Sequence, residues 1–402
     1  MVLRFLLGVL LVGVGFSVAI FFKEAGYGAG PRDTSGAITG DTKELAFVSN
    51  AVGGTVTLLD MVTRTVVGEL NVVPDGVRIS PFRDPEQWLA QGIVEGRGGL
   101  NYAQDTDLSR NGEVLFVSRG YLADVIAMDI ASGDILWRTP IAGVRADHMD
   151  ISPNGKKLYV SAVIRGGNVV EVIDTETGKK LGKIETGDWP HDVHVTEDSQ
   201  HVYVASLGDM QLEPDIRAEN SDSYKVTLAD AETYDVLKEF QFEAGVRPFQ
   251  VTRDQTRLYA QLSNTHAIIA RDLETDSEIA RIDLPVADGV SEADWDFEAP
   301  HHGLALTPNE QTLCVAGRAS DYAAIVRSEA LSLVTTIPVG DAPSWAEVTE
   351  DGWLCVLANT RSDDVSIIDL GTAEEIARIE AGRGPKHITI GRVPEALLAS
   401  FE

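Results

Sequence analysis

A chain of 402 residues with 62 Asp and Glu against 33 Lys and Arg carries a formal net charge of -29. Such a surface repels nucleic-acid phosphates and anionic lipid headgroups, which argues against nucleic acid as a partner. The hydrophobic content of 44% is that of a globular protein, and the length admits several ordinary domains or one large repeat domain.

The N-terminus differs from the rest. Arg4 precedes an uncharged run from Phe5 to Phe22, and Lys23-Glu24 ends it. At about 1.5 Å of rise per residue, a helix of that length nearly matches a bilayer's hydrocarbon core. No persuasive small-x-small cleavage site follows Phe22, so residues 1–24 are expected to be an uncleaved anchor rather than a cleaved signal peptide. Residues 25–40, rich in Gly, Ser and Thr, are expected to be a flexible tether. The body at 41–391 is then extracytoplasmic, periplasmic or at the cell surface, and touches the membrane through the N-terminal helix alone.

The body repeats one unit. It is clearest from Asp147 to Gly187, where four short runs rich in Val, Ile and Tyr are joined through turns such as Pro153-Asn154-Gly155 and Thr175-Glu176-Thr177-Gly178. That is the pattern of a four-stranded antiparallel meander. Copies lie at Asp105 to Ile141, Pro190 to Gly245, Arg247 to Pro285, Pro300 to Gly340 and Ala342 to Gly382. Glu44 to Val72 supplies strands two to four without a first, and Gly384 to Gly391 supplies a first strand with nothing after it. Joined, the two ends make a seventh sheet and close a ring, so the expected fold is an all-β, seven-bladed propeller. The tail 392–402 is expected to be a short helix or a frayed end. Cys314 and Cys355 occupy equivalent Leu-Cys-Val sites, and we read them as buried strand residues too far apart to bond.

The runs Leu158-Tyr159-Val160-Ser161, Val202-Tyr203-Val204-Ala205, Val169 to Asp174 and Val365 to Asp369 resemble the YVTN family of β-propeller repeats. So do the links Gly340-Asp341-Ala342-Pro343 and Gly382-Arg383-Gly384-Pro385. The resemblance spans Asp41 to Gly391 and implies the fold. Wider relatives include the d-type haem domain of nitrite reductase, the heavy chain of methylamine dehydrogenase and propeller lactonases, but structural motifs carry no activity with them.

Loop lengths distinguish the faces of the disc. Turns between first and second strands are short throughout, as are those between third and fourth. The long insertions, Pro74 to Gly99, Leu207 to Ser223 and Ala287 to Ala299, belong to the classes that emerge on the opposite face. An elaborated face is where a repeat protein binds. Six of the eight histidines, His148, His191, His194, His301, His302 and His387, stand near the beginnings of first strands, whereas His201 and His266 look like ordinary loop or surface residues.

Convergence of those strand starts on the axis would gather imidazoles from different blades. A transition metal is one ligand they suit, with His148, His191, His194, His302, Asp150 and Asp192 as candidate ligands. A haem-like tetrapyrrole is another, held by Arg145, His148, His191, His302, Arg247, Arg383 and His387 through carboxylate pairing and axial ligation. The expected function is therefore a binding or accessory protein holding such a small-molecule or metal ligand on the decorated face, with a periplasmic protein as a further partner. A lactonase-like hydrolase, a redox subunit and an interaction scaffold are the alternatives. No catalytic residue is singled out. The acidic stretch Ser291 to Glu298, with Trp295 and Phe297, reads as a lid over the channel.

Overall fold

The computed structural model describes residues 32–95, 101–163, 168–220 and 223–401. Its described strands form seven four-stranded antiparallel sheets. Blade one runs from Asp105–Leu108 to Ile135–Pro140, and blade two from Arg145–Ile151 to Lys180–Glu185. Blades three, four, five and six begin at Pro190–Val195, Val246–Val251, Leu304–Leu306 and Pro343–Val348. In blade seven the C-terminal strand Pro385–Pro394 pairs with Thr42–Asn50, which pairs onward with Thr55–Asp60. The ring is thus closed by the two ends of the chain, as expected, and the closing strand runs on to Pro394.

Each blade alternates its side chains between two faces, and both faces are covered by neighbouring blades. Between blades two and three, for example, Tyr159, Val170 and Val172 meet Val193, Val195, Val202 and Val204. Burial fades outward, so the fourth strand of blade two is mostly exposed. The polar residues of the repeat serve its turns. Ser109, Ser152, Thr196, Thr252, Thr307 and Thr349 each accept, through the hydroxyl, the N–H five residues on. The Asp that ends the third strand, as at Asp129, Asp174, Asp230 and Asp369, accepts the N–H three residues on and closes the next turn.

Two end segments are more ordered than the sequence suggests. Thr34, placed in the tether, is buried, and its hydroxyl lies 2.8 Å from that of Thr175. Its carbonyl accepts the Arg110 N–H at 3.1 Å, so residues 32–36 dock on the turns of blades one and two at the undecorated face. The tail forms a 3-10 turn at Glu395–Phe401, with Leu397, Leu398 and Phe401 packed on the core. The apolar run Phe5 to Phe22 lies outside the described residues, among which no helix is long and apolar enough to cross a membrane.

The cysteines correct the sequence reading. Cys314 and Cys355 form a disulfide across blades five and six, with 6.4 Å between their Cα atoms. Equivalent second strands sit close to the axis, where blades converge like wedges, and both side chains point into the same inter-blade layer. The bridge closes a loop of sequence separation 41. Replacing both cysteines with serine is expected to lower the unfolding free energy by about 4 kcal/mol, read by urea denaturation.

Candidate metal centre

The seven inner strands lie side by side around the axis, so their first residues surround the channel mouth. The insertion at 287–299 closes over this end. In the 287–299 segment, Asp296 pairs with Arg361 at 2.5 Å and Arg318 at 3.5 Å. Glu298 pairs with Arg217 of the 207–223 loop, and the Phe297 carbonyl accepts from Arg247. Arginines of blades three, four, five and six therefore strap this segment down as a lid.

A recurrent β-bulge equips the mouth. In blade two, Ala146 faces Ala162 and Met149 faces Val160, so Asp147 and His148 together oppose Ser161 alone. His191 and Asp192 share the same irregularity in blade three, and Arg247 and Pro248 in blade four. A strand without a bulge turns alternate side chains inward; a bulge re-aims two consecutive ones. This is why Asp147 and His148 both engage groups of the mouth. Blade five instead carries Gly303 at φ 141°, where a Cβ would stand 2.6 Å from the Ala346 nitrogen. Only glycine admits that approach of blade six.

The imidazoles converge. His191 Nε2 lies 3.1 Å from His302 Nε2, and one ring nitrogen from each of His148, His191 and His302 lies within 4.8 Å of the others. All three are buried. Two of them bond an oxygen through Nδ1, His148 to Asp105 Oδ2 at 3.0 Å and His302 to the Ser344 carbonyl at 2.8 Å, whereas His191 Nδ1 lies 3.4 Å from Asp147 Oδ2 without forming a hydrogen bond. His387 Nδ1 approaches Asp105 Oδ1 to 2.7 Å, off line for a hydrogen bond. The Trp345 ring lies 4.0 Å from His387 and stacks on His148 at 4.8 Å. A second ligand group, Asp105 with His148 and His387, shares His148 with the first.

Burial works against charging these rings. Burial pulls His191 down to about 3, against the opposing charge of Asp147, and carries His302 well below its ordinary value with help from His191 and Arg247. Burial also lowers His148. It would raise Asp105 and Asp147, but the neighbouring His387 and His148 for the first, and Arg145 and His191 for the second, outweigh it and hold both below the usual range. Deeper in the channel burial prevails, although His387 opposes it at Glu347, and pushes Asp150 up to about 8 and Glu347 to about 7.

The other candidates lie apart from this cluster. Asp150 Oδ2 accepts the Val195 N–H at 2.6 Å, and Asp192 Oδ2 that of Phe249 at 3.1 Å, so both stitch adjacent inner strands. His194 falls beyond the bulge and sits edge-on to Phe249 at 6.2 Å. Arg383 is exposed in the link to blade seven, whereas Arg145, bonded to Asp147 at 2.8 Å, and Arg247 belong to the mouth. His301 packs against His266 at 4.1 Å, in a separate pair, so His266 is no ordinary loop residue. Sequence reasoning missed Asp105, Gln104 and Ser344 as supporting groups. Aligning the inner strands would have found Asp105, which stands level with His148 and His387.

No protein-family profile matches this chain, so the YVTN resemblance rests on its repeat motifs alone, and no curated protein matches it. Among solved structures it is similar to Kuenenia stuttgartiensis hydrazine synthase, with 19% identity over 80% of this chain and 91% of that one and a TM-score of 0.62. At that identity the likeness is one of fold.

Proposed function

We propose that this chain is an extracytoplasmic propeller, anchored by its N-terminal segment, that holds a transition-metal ion through His148, His191 and His302. The orientation of those three rings carries the reading. A metal-ligating histidine commonly donates its second N–H to a carboxylate or carbonyl, and Asp105, Asp147 and Ser344 stand ready as acceptors. If the Nδ1 atoms of His191 and His302 carry protons toward Asp147 and Ser344, their Nε2 lone pairs face each other at 3.1 Å. A cation between them turns that repulsion into ligation.

Three imidazoles with an open fourth position suit zinc or copper. A tetrapyrrole fits less well: seven ring pairs among His148, His191, His302, His387 and Trp345 have centroids 4.0 to 6.1 Å apart, which suits an ion rather than a macrocycle. The open position also supports a second reading, a metal-dependent redox or hydrolytic subunit.

Elemental analysis of the purified chain, before and after incubation with zinc or copper and dialysis, tests the proposal. One equivalent per chain is expected, and a protein that retains neither metal refutes it. Asp105→Asn, which keeps the side chain's shape but removes the charged acceptor, is expected to weaken metal affinity roughly 10- to 100-fold in a competition titration with a chelator.

A further inference from the structure

Two cations at the mouth form no ion pair with a carboxylate among the described residues, in a chain whose formal charge is -29. Arg247 is 3% exposed, and its side chain donates to the Ser263 hydroxyl at 3.0 Å and to the Phe297 carbonyl, neither of which is charged; Glu298 acts on it only at longer range. Lys386 is half-buried and has no hydrogen bond or ion pair among the described residues. The charges of Arg145 and Arg318 act against its own, and those of Asp147 and Asp105 act in its favour without pairing with it. A buried cation without a counterion is costly, because it loses water and gains nothing equivalent.

These cations belong to the same construction as the imidazoles. Arg247 occupies the level of His191 and His302 on the strand between theirs, and its charge bears on both rings. Lys386 occupies that level in blade seven, immediately before His387, as the extra residue of the irregularity between His387 opposite Ser49 and Pro385 opposite Asn50. Asp147, the carboxylate at this level, is already engaged by Arg145 and Gln104. A divalent ion on His148, His191 and His302 would increase the positive excess.

We propose that the mouth binds a small oxyanion, of the carboxylate or inorganic type, which fills the open metal position and accepts hydrogen bonds from Lys386 and Arg247. The proposal rests on the metal reading for the first contact and on the unpaired cations for the other two. A cationic ligand does not fit this description, since the groups left without an ion pair at the mouth are positive. Charge-assisted bonds from a guanidinium and an ammonium supply much of the affinity.

The test uses the full chain loaded with cobalt(II), whose visible spectrum reports changes in its ligands, titrated with sodium formate and separately with inorganic phosphate. A saturable spectral change is expected with at least one of them. Lys386→Gln is expected to weaken that binding roughly tenfold or more while cobalt stays bound, with Lys386→Arg restoring most of it. Bound cobalt with an unresponsive spectrum, or equal affinity in Lys386→Gln, overturns the oxyanion proposal and leaves the metal centre standing. If cobalt does not bind, the metal reading falls, and calorimetry of formate and phosphate with the metal-free chain decides the rest. Lysine-dependent binding there supports the anion site, and its absence overturns it.

Discussion

His191→Gln combined with His302→Gln is expected to abolish tight metal binding while shifting the metal-free protein's unfolding free energy by no more than about 1 kcal/mol. The two effects separate because the rings give each other little support in the empty site: their Nε2 atoms meet at 3.1 Å, and burial holds both imidazoles uncharged. Glutamine retains volume and a polar end, so the mouth keeps its packing, but two of the three converging nitrogens are lost. Isothermal titration with zinc and urea denaturation of the metal-free variant measure the two quantities. A variant that binds zinc as the parent does would refute the assignment of ligands. One that loses several kcal/mol without metal would make these histidines structural members of the ring.

The second large effect is a pH dependence. Burial raises Glu347 from an ordinary 4.5 to about 7 in the folded protein. Below 4.5 the group is protonated whether the chain is folded or not, so it has no influence there. Between 4.5 and about 7 the unfolded chain releases the proton while the folded one retains it, and stability falls by about 3 kcal/mol across that window. Glu347→Gln removes this loss. The variant's stability relative to the parent is thus expected to be about 3 kcal/mol more favourable at pH 8 than at pH 4.5, measured by urea unfolding at both values. His191 imposes the opposite slope: held near 3 when folded, it costs stability as pH falls below its unfolded value of about 6.5. Comparing variant with parent at each pH cancels that contribution. An unchanged difference between the two would mean that Glu347 ionises freely inside the channel.

Much of the architecture was legible because a blade advertises itself locally. The alternating Val and Ile follow the pleat of each strand, and the Thr or Ser before a turn and the Asp that ends most third strands make hydrogen bonds within three to five residues, so their spacing survives in the sequence. The unmatched strands at the two ends likewise announced the closure of blade seven. The candidate site was legible only in part. Histidines at strand starts gave His148, His191, His302 and His387, because a ring of inner strands must bring its beginnings to one mouth. His194 and Asp150 shared those strands yet ended elsewhere, since position relative to the bulge decides which residues meet at the mouth. Cys314 and Cys355 failed for a related reason: the taper of the blades, not any spacing along the chain, brings them within bonding distance.

The sequence by itself determined a seven-bladed ring closed by its ends, its elaborated face and a set of histidines bound for that face, because each follows from repetition and turn chemistry within single blades. Tertiary structure alone decided which imidazoles meet, that Asp105, Asp147 and Ser344 stand beside them, and that Arg247 and Lys386 share their level without an ion pair among the described residues. Those relations join residues of different blades, and they depend on bulge register and inter-blade distance, which no single repeat encodes.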